Sequence, residues 1–243
     1  MKKFLIILIA VVVIGYLIFS ASYFRDMSRN RVCENFSVVI EDSAHYRFVS
    51  KQDIVALVKR YDLDPVGKTF GEINTLAIRD TILANRLVES AKVFITPAGS
   101  VMATVSQRKP VLRVISDVKG NFYVDNERRI MPVSGNFAVY VPVATGAIDE
   151  EFARNQLSDF ALFLSSHPDW DVWIEQIVVQ KDQEVELIPR AGDFRIIMGS
   201  LDDYQAKLAK FVRFVDEGLN VVGWNRYSAI NLKYDNQVVC TRK

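Results

Sequence analysis

Residues Val88–Val105 read VESAKVFITPAGSVMATV, two β-prone runs on either side of Thr96-Pro97-Ala98-Gly99. Proline and glycine supply the chemistry of a turn. Val101, Ala103 and Val105 alternate with Met102 and Thr104, the period of a strand with one buried face. The stretch therefore predicts a hairpin in which Val88–Ile95 turns back into Val101–Val105.

Upstream of the hairpin the period changes from two to 3.6. Asn74 is placed to cap a helix that carries Leu76, Ala77, Leu83 and Leu87 along one stripe. Ser50 with Asp53 three residues on has the form of a capping box, and Ile54, Leu57, Val58 and Tyr61 follow at helical spacing. Asp64-Pro65 and Gly67 end that helix. Before it, Phe36–Ile40 (FSVVI) is strand-like. Residues 36 to about 106 thus read strand, helix, helix, strand, strand, which predicts a three-stranded sheet covered on one face by two helices. Gln107-Arg108-Lys109-Pro110 marks the boundary, because proline cannot extend a central strand.

The second half predicts a mixed, mainly antiparallel sheet with two helices. Strand signals stand at Val111–Ile115, Phe122–Val124, Ile130–Met131, Trp173–Val179, Glu184–Ile188, Phe194–Met198, Tyr227–Tyr234 and Val238–Cys240. One helix runs from about Glu150 to Leu164, with Ala153, Leu157, Phe160, Ala161 and Leu164 on its apolar face and His167-Pro168 as its stop. The other follows a Ser200/Asp203 capping box, buries Leu208, Phe211, Val212 and Val215, and ends at Gly218 as a C′ residue. The fold class expected is α+β.

Ahead of both halves, residues 4–21 read FLIILIAVVVIGYLIFSA, without a charge. As a helix this run is about 27 Å long, enough for a hydrocarbon core. Its Leu, Ile, Val and Phe residues sum to about −4 to −8 kcal/mol on the insertion scale. A signal peptide cut after Ser22 competes with an uncleaved anchor, and the length of the run favours the anchor. Flanking charges do not fix the orientation, since Lys2 and Lys3 precede the run and Arg25, Arg29 and Arg31 follow it.

Composition removes several function classes. Thirty basic residues against 29 acidic ones give a net charge of +1, without the basic surplus of a nucleic-acid binder. Two cysteines, Cys33 and Cys240, exclude a disulfide scaffold and a four-cysteine zinc module. A bridge between them would tie the ends of the soluble part together, and packing as small apolar side chains is the favoured reading. No phosphate-binding glycine loop, nucleophile elbow or H-E-x-x-H motif occurs. His45 and His167 lie far apart in polar sequence. Carboxylate pairs such as Asp202-Asp203 fall at helix starts, where the macrodipole accounts for them. Trp170, Trp173 and Trp224 are read as packing residues. No catalytic residue, cofactor site or metal site is expected, and an interaction surface is what remains. The carboxyl-terminal strand is a candidate edge for strand addition, with Lys233 as a charge that could discourage it.

The order of segments, the Gln-Arg-Lys-Pro boundary and Ile230–Val239 (INLKYDNQVV) together resemble the bacterial cell-division family FtsQ/DivIB, whose terminal strand and turn read Asp-Leu-Arg-Tyr-Asp-x-Gly. Phe122-Tyr123-Val124-Asp125 with Ile130-Met131-Pro132-Val133 is similar to the family's tyrosine strand, turn and proline. In this chain Asn231 and Lys233 replace the acidic and arginine positions, Gln237 stands where glycine is common, and Arg128 or Arg129 takes the turn glycine. The resemblance implies a cytoplasmic tail at 1–3, a transmembrane helix at 4–21, a linker at 22–35, a POTRA domain at 36–108 and a β domain at 109–243, both domains outside the inner membrane. It implies a non-enzymatic scaffold at the division septum that binds FtsB and FtsL type proteins, with no small-molecule substrate. By position, Lys233, Tyr234, Asn236, Val238 and Val239 would line the contact. An exported protein with a cleaved signal, or a POTRA-containing outer-membrane assembly factor, is the alternative.

Overall fold

Ser50 and Asp53 start the first helix as a reciprocal cap. The Asp53 amide donates to Ser50 Oγ at 3.1 Å and the Ser50 amide to Asp53 Oδ2 at 2.8 Å. The computed structural model describes Ile9, residues 11–20 and residues 29–243. It divides into two compact units, Met1–Gln107 and Arg108–Lys243.

Residues 11–20 are helical. Among the described residues no helix is long and apolar enough to cross a membrane. The rest of the expected span, the tail at 1–3 and most of the linker lie outside the described residues.

The first unit holds β1 (Asn35–Ile40), α1 (Lys51–Arg60), α2 (Thr75–Leu83), β2 (Val88–Ile95) and β3 (Ser100–Gln107), the order read from the sequence. β3 lies centrally, parallel to β1 and antiparallel to β2. Val101, Ala103 and Val105 are fully buried, as their alternation requires. The turn is closed by a Thr96 N–H bond to Ser100 O at 2.8 Å, with Gly99 at φ +88°. Asn74 Oδ1 accepts from the Ala77 amide at 3.0 Å.

The stripe expected on α2 is corrected. Ile78 and Ile82 face the core, whereas Leu76 is 60% exposed. The reason is rotational: at 3.6 residues per turn, Leu76 stands about 200° around the helix from Ile78. On α1, Ile54 and Val58 are buried and Tyr61 is exposed.

Part of the expected linker belongs to the unit. Arg29 O accepts from Gly71 N at 2.9 Å, Arg31 O from Phe70 N at 3.0 Å and Cys33 O from Gly67 N at 2.9 Å, which pins residues 29–33 along the 67–71 loop. Gln107, read as a boundary residue, is fully buried. Its side chain accepts from Val49 N at 2.9 Å and donates to Asp42 Oδ1 at 2.9 Å and Tyr46 O at 2.8 Å, closing the 42–49 loop onto β3. Gln107→Ala strands those buried groups, so we expect about 2–3 kcal/mol of destabilisation. A denaturant midpoint followed in this unit checks it, and an unchanged midpoint contradicts the role.

The second unit carries nine strands: β4 (Pro110–Ser116), β5 (Gly120–Asp125), β6 (Ile130–Pro132), β7 (Val143–Gly146), β8 (Ile174–Val179), β9 (Val185–Pro189), β10 (Arg195–Gly199), β11 (Tyr227–Asn231) and β12 (Val239–Arg242). Their order is β12-β11-β10-β9-β8-β7-β4-β5-β6. Pairs β4–β7, β7–β8 and β10–β11 are parallel and the others antiparallel. Pro110 opens β4, where a missing N–H is tolerated.

A parallel neighbour needs a crossover, and two of these are helical. α3 (Glu150–Phe152, a π-turn at Ala153–Leu157, then Ser158–Ser166) and the short α4 (Pro168–Trp173) link β7 to β8. α5 (Tyr204–Phe214, a π-turn at Val215–Leu219 and a last turn at Asn220–Val222) links β10 to β11. Both crossovers join strands of the same direction and step the same way along the sheet. Right-handed connections then put both helical segments on one face. They meet there: the Phe160 and Tyr204 rings are 5.2 Å apart and those of Trp173 and Phe211 5.7 Å.

Three expectations change here. Asp203 precedes α5 in a left-handed conformation, φ +49°, and makes no side-chain cap, so Ser200/Asp203 is not a capping box. Gly218 lies inside the π-turn, and Gly223, at φ +95°, follows the helix end instead. Val212 is exposed, since it points away from the face that buries Leu208 and Phe211. His167-Pro168 ends α3, but the proline also starts α4, at a position where its missing N–H costs nothing.

Candidate partner-docking edge

β12 has one neighbour, β11, and so ends the nine-stranded sheet. Its register with β11 pairs Asn231 with Val239, Ile230 with Cys240 and Ala229 with Thr241. Which side of β12 is open follows from one hydrogen bond. Leu232 N–H donates to Ile197 O at 2.9 Å, toward β10. Backbone groups alternate sides along a strand, so Ile230 also faces β10 while Ala229 and Asn231 face β12. Val239 and Thr241 therefore direct their backbone groups to β11. The N–H and C=O of Cys240 point outward, where another strand could pair.

Of the residues expected at this contact, Val239 alone lies on β12. Lys233, Tyr234, Asn236 and Val238 lie in the loop 232–238 that leads into it. Lys233 is not an edge charge. Its ammonium is paired with Glu184, and that hydrogen bond holds its pKa above the ordinary lysine value. Its stem covers Gly199, where an added Cβ would sit 2.7 Å from Lys233 Cγ. Tyr234 is 51% exposed, Asn236 is exposed and Val238 is half-buried against the core. Cys240 is half-buried, and burial pushes its thiol pKa up. Cys33 and Cys240 are both free thiols.

Beside the loop, α5 forms one wall of a cavity of about 1050 Å³. Lys207, Lys210 and Arg213 line it at intervals of three, facing Asp235, Gln237 and Val238. Lys207 Nζ donates to Ser200 O at 2.7 Å, and burial lowers its pKa. Lys210 Nζ donates to Leu232 O at 3.0 Å and also to Tyr234 O. These cations were not expected at the contact. Their i, i+3 spacing is visible in the sequence, but nothing local says which loop they face.

The residues set aside on sequence grounds stay outside the edge. His45 is exposed, and His167 Nδ1 lies 2.8 Å from Phe163 O. Trp173 packs between Phe211 and Trp224. Among the described residues no group of three His, Cys, Asp or Glu could hold a metal ion.

A family model described as FtsQ/DivIB, C-terminal related, matches residues 109–241. A POTRA-like domain model matches residues 31–106. No curated protein matches the chain.

Proposed function

The chain belongs to the FtsQ/DivIB, C-terminal related family, and from that premise we propose that it is a bitopic scaffold of the bacterial division complex, gripped by its partners along β12. The family is one of septal division proteins that work without turnover, which fits a molecule with an open sheet edge at β12. In this reading residues 1–3 are cytoplasmic, 4–21 cross the inner membrane, and the POTRA domain (36–108) and β domain (109–243) stand outside it. FtsB and FtsL type proteins are the partners, and one of them adds a strand to β12 with Tyr234 as a side-chain anchor.

The observation that carries the proposal is the outward-facing backbone of Cys240 on a strand with one neighbour. Backbone bonds supply affinity for an added strand whatever its sequence, and the flanking loop and α5 wall supply selectivity. The test is retention of an FtsB-type protein by the membrane-bound chain. Deleting residues 233–243 is expected to remove retention, and full retention rejects the edge. For topology, a reporter fused after Lys243 is expected to be active only outside the cytoplasm, with the chain in the membrane fraction. Recovery of a mature form starting near Tyr23 in the soluble fraction overturns the anchor.

A further inference from the structure

We propose that Lys210 is a positioning residue for the docking edge: from α5 its ammonium holds the backbone of the 232–238 loop, so that β12 is presented already formed. This rests on the reading of β12 as the contact. Among the described residues, positions 233–238 form no strand ladder, and their backbone makes only a turn at Asp235-Asn236. The loop is tied down by side chains instead. Lys233 N–H donates to Asn231 Oδ1 at 2.9 Å, within the same connection, and the Lys233 ammonium reaches Glu184. From α5 the tie is Lys210, whose ammonium spans two loop carbonyls, Leu232 O at 3.0 Å and Tyr234 O.

Those two acceptors bracket Lys233 and lie at the exit of β11. Fixing them fixes where the chain turns back, and with it the register in which Val239 meets Asn231. A loop without its own ladder that must be ordered on binding charges its entropy against affinity, and a prebuilt loop avoids that cost. Lys210 has no carboxylate within ion-pair distance among the described residues, so its charge serves the carbonyls. Lys207, one turn earlier, holds Ser200 O and does not reach the loop by any hydrogen bond of the described residues.

The experiment compares Lys210→Met, which keeps the apolar stem and removes the donors, with Lys207→Met and Lys210→Arg in the full-length chain. Hydrogen exchange of the hydrogen-bonded amides at the end of β11 and on β12, Leu232, Lys233, Val239 and Thr241, is expected to accelerate about tenfold in Lys210→Met. It is expected to change less in Lys207→Met, where the ammonium removed attracts Asp235 but donates no hydrogen bond to the loop among the described residues. Retention of an FtsB-type partner is expected to weaken about tenfold with Lys210→Met and to recover substantially with Lys210→Arg, whose fork can bridge two carbonyls. Exchange at core amides of α5 and β10 should not move, which separates loop ordering from general destabilisation. Unchanged exchange at the β11 and β12 amides overturns the proposal, as does accelerated exchange with undiminished retention. Failure of the edge itself is read separately: if blocking β12 leaves retention intact, the contact is elsewhere and the positioning role falls with it, even where exchange at those amides responds.

Discussion

Replacing Cys240 with proline is expected to weaken partner retention by about a hundredfold, or ~2.8 kcal/mol, while the nine-stranded sheet stays folded. The two outcomes separate because β12 has two unlike sides. Proline removes one N–H and places its ring there. At Cys240 that N–H points away from β11, the orientation in which edge strands tolerate proline. An incoming strand loses a donor and meets the ring. At Val239 the N–H points to β11 instead, opposite Asn231, so Val239→Pro is expected to damage the hairpin itself. The pair of variants is the control: they differ by one residue in position and by 180° in the direction of the lost donor. Circular dichroism and partner retention measure the two effects. If Cys240→Pro keeps full retention, strand addition at β12 is wrong. If it unfolds the unit as Val239→Pro does, the assignment of the outward side is wrong.

Asp125→Ala is expected to destabilise the second unit by about 3–5 kcal/mol, the range for removing one partner of a buried ion pair. Asp125 is 1% exposed at its side chain and Arg108, 2.7 Å away, is 12% exposed. The same carboxylate accepts from the Glu127 and Arg129 amides at 2.9 and 2.7 Å, which shapes the β5–β6 turn. That turn needs help because Arg128 occupies it at φ +62°, a conformation that glycine adopts without strain. The Arg128 guanidinium is held by Asp159 at 2.7 and 3.1 Å. Alanine removes the closer carboxylate of a largely buried guanidinium, which keeps the more distant Glu127 carboxylate at 3.7 Å, and leaves two turn amides without their acceptor. Asp125→Asn, which keeps an acceptor oxygen, is expected to cost less than alanine. Denaturant unfolding of the second unit gives the comparison, and a loss under about 1 kcal/mol with alanine would mean that water substitutes for the carboxylate.

The legible parts of this molecule are those whose cause is local. Ser50 with Asp53, and Asn74, announce helix starts through their own hydrogen bonds. Val101, Ala103 and Val105 announce a buried face by alternation. The α3 stripe from Ala153 to Leu164 is buried as its spacing requires. Errors came where a local pattern had more than one satisfactory reading. Ser200 and Asp203 have capping-box spacing, yet the chain turns left-handed at Asp203 before α5. Leu76 and Leu83 are apolar, yet the sheet lies on the side of Ile78 and Ile82. Gln107 does close the first unit, as its place in the boundary suggests, and only its burial is hidden in the sequence, because its three partners are some sixty positions away in the chain.

The candidate edge divides in the same way. The chain's own order of residues shows a strand signal at Tyr227–Tyr234, a polar turn and a second strand signal at Val238–Cys240, and the fold moves Lys233 and Tyr234 from the first strand into the loop. Only the folded sheet decides that β11 pairs in parallel with β10, and from that pairing comes the direction in which Cys240 presents its backbone. Only the folded unit brings Lys210 to the carbonyls of Leu232 and Tyr234. Propensity, capping and periodicity act over a few residues and are written in consecutive letters. Strand neighbours and cation-to-carbonyl ties depend on which distant segments share a core, and that choice is made by the burial of the whole sheet against α3 and α5.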